Sequence, residues 1–360
     1  MVGFKAADMS DSYGEWPLQR LMTEVVGSGP KSAADMSREQ AAEAFERILD
    51  LHPDPTTLGA FWLANRWKRN NGEELGAYVD VMREESVVTA EPDADPVDCG
   101  ANYDGKQSSA LLGVAAGVVA AAAGTPVVVH SGDRVPTQQG DAYKHVLDEL
   151  GVRTEVSPEE SARMVDEVGF GFYYQPNFNP VVDALWDRRE KMGVRTFVNT
   201  VETLGNPANA DVHLGSFYHL AFAKKIVETV RESEDVGFDR VLMFQGMEGY
   251  DDVRPGSTTV AEWSEGGDIE DFTVETPDYG MDFESEDLNV DDVAVDSAEI
   301  TLDVLAGEER GPFADAVALN AALRMYAGED VDSIDEGVDR AREVVTDGRA
   351  ESLLADLCAF

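Results

Sequence analysis

The chain predicts an α/β fold with a small all-α domain ahead of it: a mainly parallel central sheet flanked by helices. Three observations carry that prediction. Residues 1–85 hold helical signals only. From Pro96 onward, short apolar runs alternate with amphipathic ones, the pattern of a parallel sheet covered by helices. Between the first such run and a long apolar segment lies Gly100–Ser109, a strand–glycine loop–helix unit whose unpaired backbone N–H groups suit an anion, usually phosphate.

Each element has its own signal. Ser37-Arg38-Glu39-Gln40 has capping-box spacing, and Asn71-Gly72 separates two further helices. Ala60, Phe61, Ala64 and Trp67 fall on one helical stripe, expected to pack internally or against a second copy. Glu91–Pro96 reads as a linker. Strands are expected at Pro96–Cys99, Thr125–His130, Val168–Tyr174 and Val241–Gln245, and helices at Tyr143–Leu150, Phe217–Glu232 and Phe313–Tyr326. Residues 264–303 are acidic and alternate weakly, so edge strands and loops are expected there. Ser333-Ile334-Asp335-Glu336 opens a helix near the C-terminus. The expected division is a helical domain over 1–90, with 178–208 packing on it, and an α/β phosphate-binding catalytic domain over 91–360. Ser109–Val129 is long and uncharged enough to imitate a membrane span. Its Ala and Gly content, and the break at Gly124-Thr125-Pro126, make it a buried helix followed by a strand.

Acidic residues number 71 against 28 basic ones, a net charge of −43, yet 43% of the chain is hydrophobic, as in a folded protein. Adaptation to a salt-rich cytoplasm is the simplest expectation, since at 1 M salt the Debye length is about 3 Å and self-repulsion is screened. The charge excludes a general nucleic-acid surface, which needs basic clusters. Two cysteines make no disulfide framework, and MVGFKAADMSDSYGEW has no signal pattern, so a reduced cytoplasm and no membrane are expected.

Gly100–Lys106 matches G-x-x-x-x-G-K, but Gln107 stands where a P-loop needs Ser or Thr, and VLMFQG at 241–246 lacks a terminal Asp. A nucleotide triphosphatase does not fit; an anion site of another family, or a glycine turn without ligand, does. Gly27-Ser28-Gly29 and Gly169-Phe170-Gly171 are too short for a dinucleotide fingerprint. The five histidines lack metal spacing, and no G-x-S-x-G elbow occurs. Asp251-Asp252, beyond a predicted strand, is a candidate magnesium pair beside a phosphate. Arg188, Arg189 and Arg195 gather in a chain that otherwise avoids cations, either to meet a ligand or to pair with neighbouring acids.

Taken in order, these segments resemble the anthranilate phosphoribosyltransferase family, part of a glycosyltransferase group that includes the pyrimidine nucleoside phosphorylases. Met36–Glu85 is similar to the family's helical domain, including Asn65–Leu75. Trp186–Ala208 resembles its R-x-x-L-G-x-R-T-x-F-N…NP segment. Gly246–Val253 resembles G-x-x-G-L-D-E-I, with Asp252 for Glu, and Val304–Leu323 resembles G-E-x-G-P-x-x-D-x-x-x-x-N-A. The G-T-G-G-D-G loop reads Gly100-Ala-Asn-Tyr103-Asp104-Gly105 here, and N-x-S-T corresponds to Lys106-Gln107-Ser108-Ser109. K-H-G-N-R becomes His130-Ser131-Gly132-Asp133-Arg134, and the following Ser pair becomes Thr137-Gln138.

The resemblance implies a nucleoside phosphorylase/phosphoribosyltransferase type of fold. It implies transfer of the phosphoribosyl group from phosphoribosyl pyrophosphate to anthranilate or a related aromatic acceptor, as in tryptophan biosynthesis. Gly100, Asp104, Gly105, Lys106, Ser108 and Ser109 would hold phosphate and substrate, helped by His130, Arg134 and Thr137. Lys106 would act as a point charge on the phosphate, Arg189 would meet an anionic acceptor, and Asp251 and Asp252 would hold Mg²⁺. The helical domain would join two copies. Such a transfer passes through an oxocarbenium-like state and needs positioning and charge stabilisation more than a protein nucleophile. Phosphorolysis of a nucleoside in the same cleft, or ligand binding without catalysis, are the alternatives.

Overall fold

The computed structural model describes residues 18–29, 31–51, 53–100, 103–250 and 252–360; the N-terminal segment read above for a signal pattern lies outside them. Four helices come first: α1 (Leu18–Val26), α2 (Arg38–Leu49), α3 (Pro55–Lys68) and α4 (Gly72–Glu85). Ser37 caps α2 and Asn71 caps α4, each in a reciprocal capping box, with Gln40 and Glu74 as the respective partners. The buried face of α3 is Leu58, Phe61, Trp62 and Asn65. The expected stripe is therefore one position off: Phe61 is buried, Ala60 is exposed and Trp67 is 81% exposed.

The sheet has seven strands in the order β3-β2-β1-β4-β5-β6-β7: β1 (Val97–Cys99), β2 (Val127–Ser131), β3 (Phe170–Tyr174), β4 (Val212–Phe217), β5 (Arg240–Gln245), β6 (Ser257–Ser264) and β7 (Glu270–Glu275). The first five in space are parallel; β6 and β7 add antiparallel edges. Along the chain follow α5 (Gly113–Ala123), α6 (Tyr143–Glu149), α7 (Pro158–Val168), α8 (Gln175–Phe178), α9 (Pro180–Asp183), α10 (Trp186–Met192), α11 (Val198–Val201) and α12 (Leu220–Glu232). The last four are α13 (Val293–Leu305), α14 (Pro312–Ala327), α15 (Ile334–Thr346) and α16 (Arg349–Ala359). Strand β4 escaped the sequence reading because His213 and Gly215 interrupt its apolar run. Helix α13 escaped because its buried face is built of small and β-branched residues among acids.

One face of the sheet, with Val97, Cys99, Val127 and Val129, packs on α5 and α14. The opposite face, with Val241 and Met243, joins the core of α1–α4, α9–α11 and α12. Helix α5 is buried along most of its length and stops at Gly124, whose φ of +107° forms a left-handed cap. No helix among the described residues is long and apolar enough to cross a membrane. Side chains alternate across a strand, so Asp98, between Val97 and Cys99, points to the helical-domain side. That alternation sets up the site.

Candidate active site

A cleft of about 330 Å³ opens at the C-terminal ends of the parallel strands β1, β4 and β5, facing the helical domain. Gly100, His213, Ser216 and Glu248 line it on the sheet side, and Arg66 and Arg195 on the other. In open α/β sheets ligands bind in this position. Gly100 is required there by close approach: a Cβ would stand 2.2 Å from the Thr203 carbonyl oxygen and 2.7 Å from His213 Cε1. Beneath the cleft, Asp98 is shared by two histidines. Its Oδ2 accepts from His213 Nδ1 at 2.8 Å, and its Oδ1 lies 3.1 Å from His130 Nε2. His130 Nδ1 meets the Tyr103 hydroxyl. Burial alone would raise the Asp98 carboxyl, but the His130 and His213 rings more than offset it and hold it at about 2.

The glycine loop is arranged differently from the expectation. Helix α5 starts at Gly113, not Ser109, and its first turn is closed by the chain itself. Leu112 N–H donates to Asp252 Oδ2, Leu111 N–H donates to Ser297 Oγ, and the Tyr143 ring covers Gly113. Lys106, expected to contact phosphate, is 1% exposed; its ammonium is paired with Asp252 and donates to the Ala110 carbonyl at 2.7 Å. An isolated ammonium is costly to bury, so the nearest buried carboxylate claims it. Asp252 is thereby half committed, and Asp251 lies outside the described residues. Gly105, with φ +73°, turns the loop, and Asp104 is paired with Arg195.

Ser108 and Ser109, expected to meet phosphate, instead hold a carboxylate of the chain itself, that of Glu248. Its Oε1 accepts from both serine hydroxyls, at 3.1 and 2.7 Å, and from both backbone N–H groups, at 3.3 and 2.9 Å. Its Oε2 accepts from Gln107 N–H at 3.0 Å. Burial would raise the Glu248 carboxyl; the Ser109 hydroxyl and the backbone donors outweigh it and hold it below the ordinary range. Glu248 has φ +52°, a strained conformation for a residue with a side chain, which these donors help to maintain.

Two further expected residues, Arg134 and Arg189, line a second cavity of about 590 Å³ together with Tyr174 and Trp186. Arg189, expected to meet an acceptor, is instead held by Glu202 through two hydrogen bonds of 2.8 and 2.7 Å. Gln175 also donates to Glu202, at 2.9 Å. Arg134 is half-exposed and paired with Asp141. Thr137 has φ +81° and donates its N–H to Glu190 at 3.1 Å. His130, expected in the phosphate site, is fully buried against Asp98 and Tyr103. The expected residues are thus spread out: Gly100 lines the first cleft, Arg134 and Arg189 the second cavity, and Ser108 and Ser109 a third opening that shares Glu248 with the first.

A family model of the glycosyl transferase family, a/b domain, matches residues 99–351, and one of its helical bundle domain matches 26–86. The anthranilate phosphoribosyltransferase of Persephonella marina is 30% identical over 327 residues, covering 90% of this chain and 94% of that one. The chain belongs to the anthranilate phosphoribosyltransferase family of glycosyl transferases. The Dechloromonas aromatica relative is 32% identical over 323 residues, covering 89% and 93% of the two chains. The crystal structure of the Thermus thermophilus anthranilate phosphoribosyltransferase superposes with TM-score 0.80 at 27% identity, over 95% of this chain and 98% of that one. The Saccharomyces cerevisiae enzyme in complex with phosphoribosyl pyrophosphate and Mg shares the fold at 19% identity, TM-score 0.80, over 95% and 98%.

Four residues of the site were missed by sequence reasoning: Asp98, Glu202, His213 and Glu248. One carried a signal. An ionisable side chain inside a strand of a parallel sheet is buried on either face, so Asp98, in an expected strand, needed a partner, and the same rule would have applied to His213 had β4 been legible. Glu202 and Glu248 carried none among 71 acidic residues.

Proposed function

We propose that this chain transfers the phosphoribosyl group of phosphoribosyl pyrophosphate to anthranilate or a related aromatic acceptor in the interdomain cleft, releasing pyrophosphate. The observation that carries this is the joint match: both family domains, in order, around a cleft at the C-terminal ends of the parallel strands. The Gln107–Ser109 donors offer a phosphate three backbone N–H groups and two hydroxyls. Gly100 lets backbone approach closely in the interdomain cleft, where a Cβ would collide with the Thr203 carbonyl.

Mg²⁺ belongs to the same reading. Among the described residues no group of three or more His, Cys, Asp or Glu could hold a metal. Asp252 keeps one oxygen, Oδ1, buried without a hydrogen-bond partner. This donor set fits an ion that takes most of its ligands from the substrate phosphates and water, as Mg²⁺ commonly does. Its contribution would be to neutralise charge on the departing pyrophosphate. A cytoplasmic homodimer joined through the helical domain is also proposed; exposed Leu63 and Trp67 on α3 support such an interface.

Titrating phosphoribosyl pyrophosphate with Mg²⁺ into the protein in molar KCl should release or absorb heat and raise the melting temperature. Absence of both overturns the transferase reading. Glu248 must leave the serine site for a phosphate to enter it. Glu248→Ala is therefore expected to bind pyrophosphate about tenfold more tightly or better, ~1.4 kcal/mol, by calorimetry. Equal or weaker binding would mean that phosphate does not compete for these donors.

A further inference from the structure

The geometry points to His213 as the base that takes the acceptor's proton, held for that task by Asp98; this rests on the transfer reading above. His213 lies on β4 and Asp98 on β1, directly opposite in the parallel register. With Asp98 ionised, the 2.8 Å contact at Nδ1 is an N–H donor to the carboxylate, which leaves Nε2 as the bare nitrogen. Nε2 makes no hydrogen bond among the described residues, and the ring lines the cleft. Room for it comes from Gly215, two positions along on the same face, where a Cβ would stand 2.8 Å from Nε2. The Phe238 ring, 4.9 Å away centroid to centroid, backs the imidazole.

The second oxygen of Asp98 lies 3.1 Å from Nε2 of His130, itself held by Tyr103, a contact that helps to fix the carboxylate's orientation. The ionisable groups around His213 are thus Asp98 on β1, with His130 on β2 and Tyr103 on the loop behind it. Around the cleft are Arg66, Arg195, Tyr218, His219 and Glu248. The step balances simply. The acceptor nitrogen bonds to the ribosyl C1 as the C1–O bond to pyrophosphate breaks, and pyrophosphate leaves with the bonding pair. The N–H proton moves to His213 Nε2, giving an imidazolium beside ionised Asp98, and is then lost to water. Asp98 is a positioning residue, since it acts through His213. It fixes the tautomer and stabilises the cation, the arrangement that makes a carboxylate-held imidazole an effective base.

The test is pyrophosphate release from phosphoribosyl pyrophosphate, Mg²⁺ and anthranilate in molar KCl, followed against pH for the wild type, His213→Gln and Asp98→Asn. His213→Gln should lower kcat by about 100-fold or more and leave KM for phosphoribosyl pyrophosphate within a few-fold. It should also abolish a one-proton acidic limb of the profile. Asp98→Asn should keep that limb but move it to lower pH, because the imidazolium loses its anion. An active wild type with His213→Gln equal to it overturns the base alone. A wild type that releases no pyrophosphate overturns the transfer reading and the base with it. Independently of whether either variant folds, nitrogen NMR of the unmodified protein should show His213 as the Nδ1–H tautomer; the Nε2–H tautomer would overturn the assignment.

Discussion

Glu202→Ala is expected to cost about 3–5 kcal/mol of folding stability, and a small aromatic carboxylate is expected to restore part of it. Glu202 is fully buried and Arg189 nearly so, with the guanidinium fork matched to both carboxylate oxygens. Such a pair contributes little net stability against an apolar replacement, because both charges were removed from water. Removing one partner is different: it leaves Arg189 charged and enclosed, with the Gln175 amide losing its acceptor as well. Arg189 also lines the cavity shared with Trp186 and Tyr174. Benzoate or anthranilate can therefore supply the missing carboxylate in the variant, while in the wild type it must compete with Glu202. Urea unfolding in molar KCl measures the first effect, and thermal shifts with and without benzoate measure the second. A variant as stable as the wild type, or one that ignores benzoate, would contradict this account of the pair.

Lys106→Met should be destabilising by a similar amount, about 3–5 kcal/mol, because Asp252 is left as a buried carboxylate without its cation. If Lys106 instead faced phosphate, its loss would weaken anion binding and barely touch stability. The second substitution separates these outcomes. In Lys106→Met/Asp252→Asn the buried charge is gone, while the amide oxygen can still accept from Leu112 N–H. The double variant should be more stable than Lys106→Met alone, a strong coupling of the kind expected for side chains in contact. Additive losses in denaturant unfolding would show that the two side chains act separately.

These pairs also explain what could be read from the sequence. Local chemistry was legible: the capping boxes at Ser37 and Asn71, the apolar helix that stops at Gly124, and the alternation that builds a parallel sheet all depend on neighbours in the chain. The motifs at both ends of the family pattern were legible for the same reason. The partners of Lys106 and Arg189 were not. Each cation looked like a ligand group because a cation is scarce here, but Asp252 and Glu202 come from distant segments, and only the fold brings them close. The same holds for Glu248, whose carboxylate reaches serines on another loop. Where β4 carries a histidine and a glycine, strand alternation failed as a signal because those two residues serve the cleft rather than the core.

The helical domain is not made from one stretch of chain. Its core takes in Val182, Leu185, Phe197, Val198 and Leu204 from the segment spanning α9–α11, and Ala223, Ile226 and Val227 from α12. Synthesis proceeds from the N-terminus, and domains commonly fold as they emerge. Here α1–α4 leave the ribosome well before the segments that cover them, and the first sheet strands emerge in between. The nascent helices must wait with part of their apolar surface open until α12 is made. A protein with this chain order cannot complete its first domain from its first segment alone; the domain closes only after the first strands of the second have been made.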